Sequence, residues 1–211
     1  MGPVTIDLII LRMRLILASA SPRRAELLAA GGFEFDVLAV DVDECARANE
    51  SAADYVRRLA SEKAARALEE LTGPAKAGHY GDGTADLIVL GADTVVVVDG
   101  EILGKPRDDE DARVMLRRLS GRSHHVMTGI SVRSASQEVV GLETTAVWFA
   151  TLDRNEVEWY VGTGEGRDKA GAYAIQGRAS RFIPRVDGSY SNVVGLPVAL
   201  VNAMISRMRS G

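Results

Sequence analysis

Two neighbouring arginines, Arg23 and Arg24, follow a predicted helix start in the segment from Ser19 to Arg24, which reads SASPRR. Ser21 is a suitable N-cap and Pro22 a favoured first helical residue. Both arginines then lie in the first turn, where positive charge opposes the helix dipole. Free backbone N–H groups beside two guanidinium groups suit a phosphate, so the pattern predicts an anion site. The alternative is that both side chains extend into solvent, with Arg23 pairing to Glu26.

Three other predicted helices begin with the usual chemistry of a helix N-terminus. Each has a capping side chain followed three residues later by an acid: Ser51 with Asp54, Asp108 with Asp111, and Asp153 with Glu156. An acid at that position complements the dipole and can support the cap. The arginines after Ser21 are an exception to this rule, which favours a bound anion as the missing partner.

Two lysines could add fixed positive charge to such a site. Lys63 lies on or beside the apolar stripe of the helix predicted from Ala52, four residues after Leu59. Lys105 lies in a Gly-Lys-Pro turn, where the glycine permits a tight bend and the proline stiffens it. The alternatives are a lysine stem that covers apolar surface at Lys63 and an ordinary solvated loop lysine at Lys105.

Asp93 is flanked by two apolar runs, Leu87–Leu90 and Val95–Val98, which the pattern predicts as separate strands. A carboxylate close to the core is costly unless it meets a metal, a cation or several donors. Strand ends are where such groups meet ligands. The alternative is an Asx turn between the two strands.

A short acidic group follows the strand predicted from Phe35. It consists of Asp41, Asp43 and Glu44. Carboxylate oxygens are the ligands that hard divalent cations prefer, so this group could act together with Asp93. A solvated acidic loop is the alternative.

Composition narrows the classes of protein. The chain has 211 residues, 46% of them hydrophobic, and a net charge of −4 from 25 basic and 29 acidic side chains. That balance argues against nucleic-acid binding and against a polybasic membrane patch. The single cysteine, Cys45, excludes an internal disulfide and a multi-cysteine zinc site, and it lacks the support that a nucleophile needs. With neither a signal-peptide pattern in residues 1–12 nor a membrane span, we expect a cytoplasmic protein.

Strand-like runs alternate with helical patterns, which indicates an α/β fold. The predicted strands are Leu15–Ala18, Phe35–Val40, Leu87–Leu90, Val95–Val98, His125–Arg133 and Thr144–Ala150. The predicted helices are Pro22–Ala30, Ala52–Leu71, Asp109–Leu119, Arg154–Val161 and Pro197–Met208. Residues 73–86 are rich in glycine and are predicted as a surface insertion.

Several motifs in order resemble those of the Maf nucleotide pyrophosphatases, from about Arg14 to the C-terminus. They are SASPRR with Glu26-Leu27-Leu28, Val42-Asp43-Glu44, Leu59-Ala60 with Lys63-Ala64, Gly91 to Val96, Gly104-Lys105-Pro106, Leu119 to Arg122 with His124, Thr128-Gly129, Asp168 to Gly177, and Gly188 to Pro197. Such a series is far more specific than a lone phosphate loop. The departures are the twelve residues before Met13 and the insertion at 73–86, both outside the motifs.

The resemblance implies an elongated α/β fold of the Maf and inosine triphosphatase kind, with a mixed sheet, flanking helices and two lobes around a deep cleft. It implies an N-terminal extension at residues 1–13, one domain at residues 14–211, and a homodimer. The implied reaction is hydrolysis of a nucleoside triphosphate to the monophosphate and pyrophosphate, by attack of water on the α-phosphorus. Because phosphoryl transfer needs its negative charge neutralised, we expect Mg²⁺ or Mn²⁺ as the cofactor.

The resemblance assigns the role of Asp93, and the chemistry of the residues suggests the remaining roles. We predict Asp93 as the general base, with Glu44 and Lys105 also catalytic, and Glu44 and Asp93 as the metal ligands. The predicted substrate-binding residues are Ser19, Arg23, Arg24, Lys63, Thr94 and Gln176. Arg23, Thr94 and Gln176 resemble the branch that takes dTTP and UTP, and the Gln176 amide could both donate to and accept from a base.

Two alternatives to this function stay open at the level of sequence. One is a nucleotide-sensing, septum-inhibiting protein that binds its ligand without turnover. An isolated carboxylate beside a polyanion favours a metal-dependent hydrolase over such a binder. The other is a house-cleaning pyrophosphatase of the inosine triphosphate type, which would carry a different phosphate loop. Whether the substrate is a normal or a modified pyrimidine nucleotide is not decided by the sequence.

Overall fold

The computed structural model describes residues 14–73 and 87–210. The predicted N-terminal extension and all but the first residue of the predicted insertion lie outside these ranges. The described strands are β1 (Arg14–Ala18), β2 (Phe35–Val37), β3 (Leu87–Val98), β4 (Glu101–Leu103), β5 (Ser123–Arg133), β6 (Glu138–Trp148) and β7 (Arg185–Asp187). The helices are α1 (Pro22–Ala30), α2 (Ala52–Thr72), α3 (Asp109–Leu119), α4 (Arg154–Gly162), α5 (Tyr190–Val194) and α6 (Val198–Ser210).

The seven strands form one mixed sheet in the order β2-β1-β3-β5-β6-β7, with β4 beside the far end of β3. β1 is parallel to β2 and to β3. The neighbouring pairs β3–β5, β5–β6 and β6–β7 are each antiparallel. The α/β class predicted from the alternating patterns is therefore confirmed as a mixed sheet with flanking helices.

Helices cover the two faces of the sheet differently. Of the helices in the described part of the chain, α2 alone packs on one face, against residues of β1, β3 and β5. On the other face, α1 and α6 pack against the first half of β3, whereas α3 and α4 pack with Val96 and Val98 of its second half. The cores of two lobes thus meet β3 on either side of Thr94.

β3 corrects the prediction of separate strands at Leu87–Leu90 and Val95–Val98, and the alternative of an Asx turn at Asp93 does not occur. It is a single strand of 12 residues, and Asp93 lies opposite Gly129 of β5 in its middle. The polar residues that interrupt the apolar pattern here have partners from other elements, so the strand continues through them. Successive side chains point to opposite faces, which sends Asp93 towards α2 and Thr94 towards α1 and α5.

Two glycines let α2 lie directly on the sheet. A Cβ added to Gly91 would come within 2.1 Å of the Ala60 carbonyl oxygen, and one added to Gly129 within 2.2 Å of the Val56 carbonyl oxygen. This close approach brings the Lys63 side chain from α2 onto β3. Lys63 is 9% exposed, so the prediction that it lies on the buried face is confirmed.

Other differences from the sequence prediction concern short or polar elements. β2 ends at Val37 rather than Val40. β6 begins at Glu138, well before the predicted Thr144, because its first residues pair with the end of β5 in a hairpin. β4, β7 and α5 were not predicted. No helix within residues 14–73 and 87–210 has the length and apolar content to span a bilayer.

Candidate active site

A cleft opens where β3 lacks a strand neighbour on one side. The register pairs Ala18, the last residue of β1, with Gly91, and pairs β4 with β3 only from Val96 onwards. Asp93 and Thr94 lie in the interval between these two neighbours. The turn that leads from β1 into α1 lies at the same place, and the cavity bounded by these elements has a volume of about 530 Å³.

All nine residues predicted for the site line this one cavity. They are Ser19, Arg23, Arg24, Glu44, Lys63, Asp93, Thr94, Lys105 and Gln176. Asp41 and Asp43 are not among the lining residues, and the Asp43 carboxylate instead accepts a hydrogen bond from the backbone N–H of Cys45 at 2.9 Å. The lining also includes polar residues that carried no predicted role, among them Tyr55, Asp168, Lys169 and Tyr173.

The lysine-centred triad (Glu44, Lys63 and Asp93) forms one wall. Lys63 Nζ donates to Asp93 Oδ1 at 2.7 Å and to Glu44 Oε1 at 2.8 Å. The side chains of Lys63 and Asp93 are only 11% and 12% exposed, whereas that of Glu44 is 57% exposed. One ammonium group therefore holds two carboxylates, and the triad carries one net negative charge.

The electrostatics of Glu44 follow from this arrangement. Partial burial raises the pKa of its carboxyl, but Lys63, Lys105 and Arg24 outweigh burial and hold that pKa below its usual value. The Tyr55 hydroxyl donates to the Glu44 backbone carbonyl at 2.8 Å. Burial, with the negative charges of Asp93 and Glu44, raises the pKa of Tyr55 to about 12, so the hydroxyl stays protonated.

Arg24 turns inward from the first turn of α1. Its guanidinium donates to the Gly195 carbonyl at 2.9 Å, to Thr94 Oγ1 at 3.1 Å and to Ser19 Oγ at 3.2 Å. These acceptors are neutral, and burial lowers the pKa of the guanidinium although Asp93 opposes that shift. Arg24 thus ties the SASPRR turn to β3 and to the end of α5, while its charge stays at the floor of the cleft.

The aspartate-centred triad (Arg23, Asp168 and Lys169) joins the two walls of the cleft. Asp168 Oδ2 accepts from Arg23 at 3.3 Å, and Asp168 Oδ1 accepts from Lys169 Nζ. The alternative pairing of Arg23 with Glu26 does not occur. The sequence analysis predicts Arg23 for the site and places Asp168 and Lys169 in a family motif, but it does not indicate that they pair.

Residues 168–176, here called the cleft loop, form the second wall and carry Lys169 and Gln176. Gly171 adopts φ of +69°, which favours glycine, and its N–H donates to the Gly104 carbonyl at 3.0 Å. That hydrogen bond couples the cleft loop to the turn that carries the exposed Lys105. The Ala174 N–H donates to the Tyr160 hydroxyl at 3.0 Å.

A buried pair anchors the cleft loop from behind. His124 Nε2 and the Tyr173 hydroxyl share a hydrogen bond of 2.8 Å, and both rings pack against Phe149. Burial lowers the pKa of His124 to about 4, with a smaller contribution from His125, so the imidazole is neutral at physiological pH. Tyr173 is buried as well, and burial raises its pKa.

A divalent cation at this site would need oxygen ligands from a bound molecule in addition to those of the protein. Among the described residues, no three His, Cys, Asp or Glu side chains are grouped as a metal site. Glu44 and Asp93 are two carboxylates on one ammonium, and Mg²⁺ and Mn²⁺ accept such oxygen ligands together with phosphate oxygens. The donor set suits a cation that arrives with a polyphosphate.

Comparison with known proteins identifies the family of this chain. The profile of Maf-like proteins matches residues 14–208. A protein of Hahella chejuensis named dTTP/UTP pyrophosphatase is 49% identical over 187 residues, which cover 89% of this chain and 88% of that protein. A protein of the same name from Symbiobacterium thermophilum is 49% identical over 194 residues, covering 92% and 93%. A solved structure, the Staphylococcus aureus Ham1 protein, aligns with a TM-score of 0.44 and 16% identity over 65% of this chain and 72% of that one. The chain belongs to the family of Maf-like proteins.

Proposed function

We propose that this protein is a nucleoside triphosphate pyrophosphatase that hydrolyses dTTP and UTP to the monophosphate and pyrophosphate. Relatives with 46% to 49% identity over most of the chain carry the name dTTP/UTP pyrophosphatase. The observation that carries the proposal in this molecule is the position of Asp93. Its carboxylate lies in the open interval of β3, held by Lys63, within a cleft lined by further cations.

Asp93 is the group that activates water in this proposal. The hydrogen bond from Lys63 fixes the carboxylate on a central strand, and a general base must be held within hydrogen-bond reach of the proton it removes. The water loses its proton to the carboxylate as its oxygen attacks the α-phosphorus. Pyrophosphate leaves from the opposite side.

The cations hold the polyphosphate and neutralise its charge. Phosphoryl transfer depends mainly on positioning and on electrostatic stabilisation, so rigid positive groups are the main requirement. Arg24 is fixed by three hydrogen bonds, Arg23 lies in the first turn of α1, and Lys105 reaches the cleft from the turn after β4. Ser19 braces Arg24 and also accepts from the Ser21 N–H at 3.2 Å, so it keeps the turn in shape.

We further propose Mg²⁺ or Mn²⁺ as the cofactor, held by Glu44 and Asp93. When bound, the cation would offset negative charge on the phosphate oxygens. This assignment is supported by the two carboxylates, which line the cleft and both pair with the Lys63 ammonium group. Lys63 would then keep them in place and limit their mutual repulsion.

Gln176 and Thr94 are proposed to contribute to the choice of base. The exposed Gln176 amide lines the cleft and can donate and accept at once, as recognition of a pyrimidine edge requires. Thr94 accepts a hydrogen bond from Arg24 and lies 2.9 Å from the Thr128 hydroxyl oxygen, so it helps to shape the floor.

The test is product analysis across UTP, dTTP, CTP, GTP and ATP with Mg²⁺ and with Mn²⁺. The proposal expects pyrophosphate and the monophosphate, with UTP and dTTP ahead of the purine nucleotides. In water enriched with ¹⁸O, the label should enter UMP, because attack is on the α-phosphorus. Label in the pyrophosphate, or orthophosphate as the product, would contradict the mechanism. Tight binding of UTP without turnover would favour a nucleotide-sensing protein instead.

Two finer points belong to the same proposal. By resemblance to the family we propose a homodimer, which light scattering after size-exclusion chromatography would test. We also propose a cytoplasmic location, where nucleotides are abundant and the single Cys45 would remain a thiol. Fractionation of cells would test that location.

A further inference from the structure

Lys169 faces the active-site cleft, and the reaction as proposed gives it no role. Its side chain is 17% exposed, and it pairs with Asp168, its neighbour in sequence, whose own side chain is 69% exposed. Arg23, the second cation on that carboxylate, is 29% exposed. The two cations are thus held more firmly by the protein than the anion between them.

One carboxylate already sets the spacing of these cations. Its two oxygens belong to a single carbon, and each contacts a different cation. A phosphate group presents pairs of oxygens from a single centre in a similar way, and both Arg and Lys are suited to bind it. Arg23 and Lys169 could therefore bind one phosphate group across the cleft without being rebuilt.

Competition favours the phosphate over the carboxylate. Ion pairs of an exposed carboxylate contribute little, since water and salt screen them. Lys169 and Arg23 outweigh the effect of partial burial and hold the pKa of Asp168 below its usual value, so the competitor is ionised at neutral pH. A polyphosphate carries several charges and can contact further cations in the cleft, including Arg24 and Lys105.

We propose that Lys169 is a further phosphate-binding residue of this enzyme, and that Asp168 competes with the substrate's polyphosphate for Lys169 and Arg23. The inference rests on the proposed function in that it takes a nucleoside triphosphate as the substrate. A polyphosphate that displaces Asp168 joins the start of α1 to the cleft loop. The contact selects for a ligand with several phosphates over a monophosphate.

The experiment is calorimetric titration of the full chain with inorganic tripolyphosphate, in EDTA and at low salt, with UMP as the short comparison ligand. Lys169→Met should weaken tripolyphosphate binding about tenfold, the cost of one charge-assisted hydrogen bond, and Lys169→Arg should restore most of it. Asp168→Asn should tighten binding up to about fivefold, the upper range for an exposed ion pair. That gain should fade at high salt. UMP binding should change little in each variant.

Asp187→Asn is the matched control, because Asp187 is an exposed acid paired with Arg185 outside the cleft. Weaker tripolyphosphate binding in Asp168→Asn would overturn the inference, since it would make Asp168 a residue that positions the cations. Unchanged binding in Lys169→Met, or no binding to the unaltered chain, would also overturn it. If Lys169→Met does not fold, Asp168→Asn decides the question alone.

These readouts do not require turnover. A protein that binds tripolyphosphate in this pattern but releases no pyrophosphate from UTP would refute the proposed function and keep the subsite. If the protein hydrolyses UTP but Lys169→Met binds tripolyphosphate normally, the proposed function stands and the subsite is refuted.

Discussion

The two ion triads of the cleft are opposites in charge and in support. In the lysine-centred triad one cation holds two carboxylates between α2 and β3, and two of its three side chains are nearly buried. In the aspartate-centred triad one carboxylate joins two cations, and it belongs to a loop and is largely exposed. Water screens the second arrangement much more than the first.

This difference separates two tasks that the proposed reaction needs. A general base and metal ligands must keep a fixed position, and a central strand with a helix packed directly on it provides that. Binding a polyphosphate and releasing its products instead needs contacts that exchange readily. A cleft loop with a weakly held carboxylate is suited to that exchange.

The largest expected effect is on the wall formed by the lysine-centred triad, here called the rigid wall. Asp93→Asn keeps the shape of the side chain but removes the base and one charge, so turnover of UTP should fall about 10² to 10⁴-fold. Pyrophosphate release measures this change, and a thermal melt shows that the protein stays folded. Asp99→Asn, an exposed acid paired with Arg122, is the control and should keep normal activity. Near-normal turnover in Asp93→Asn would remove Asp93 from the mechanism.

Lys63→Met should break the lysine-centred triad itself. Two carboxylates would face each other without their shared cation, and the free energy of unfolding should fall by about 3 kcal/mol, the lower end for a broken buried pair because Glu44 is half exposed. Denaturant melts in EDTA measure the loss. Adding Mn²⁺ should recover more stability in this variant than in the unaltered chain, because the cation can take over the neutralising role.

The double variant Lys63→Met with Glu44→Gln sharpens the result. Removing one of the two facing charges should recover part of the lost stability, and the double-mutant cycle measures the coupling between Lys63 and Glu44. Additive effects would mean that Lys63 and Glu44 do not interact, and the triad would then reduce to the pair of Lys63 with Asp93.

Much of the rigid wall could be predicted from the sequence. Much less could be predicted of the wall formed by the cleft loop, here called the loop wall. The signals at Lys63 and Asp93 are local: a charge on an apolar helix stripe and a carboxylate between apolar runs. Arg23 reaches Asp168 across 145 positions and Arg24 reaches Gly195 across 171. Spacing along the chain cannot indicate such distant partners. The two arginines could therefore be predicted as an anion site, but their contacts with the cleft loop and with the end of α5 could not.

The same reasoning explains the error at β3. A polar interruption in an apolar run often marks the end of a strand or a turn, so the sequence predicts two strands around Asp93 rather than one. In the fold, Lys63 satisfies Asp93 from one face and Arg24 contacts Thr94 from the other. A strand can continue through polar residues when tertiary partners of this kind are present, and these partners are the functional groups of the cleft.

The anchoring of the cleft loop should make stability depend on pH through His124. The folded protein keeps the imidazole neutral down to about pH 4, whereas the unfolded chain takes up a proton near pH 6.5. Because the unfolded state binds more protons in that window, stability falls as pH falls from 6.5 towards 4. Between pH 7 and pH 5 the loss should be about 2 kcal/mol.

Denaturant melts at several pH values measure this slope. His124→Gln should flatten it, whereas Tyr173→Phe should lower stability at every pH and keep the slope, because the buried histidine remains. His125→Gln, a change in the exposed neighbour, is the control and should leave the slope largely unaltered. An equal slope in His124→Gln would mean that other groups govern the acid sensitivity, and the loop wall would then not be held by a neutral histidine.

The smallest effect concerns Gln176, at the exposed end of the cleft loop. If its amide recognises a pyrimidine edge, Gln176→Glu removes the donor and adds a negative charge beside the polyphosphate. A lost hydrogen bond at an exposed position costs about 1 kcal/mol, so UTP and dTTP should lose roughly fivefold in kcat/KM relative to GTP. Added salt should reduce the general penalty from the new charge but not the change in ranking, since screening acts on charge and not on the neutral hydrogen bond. A uniform loss across all nucleotides that disappears in salt would place Gln176 near the phosphates, and the loop wall would then act on phosphate alone.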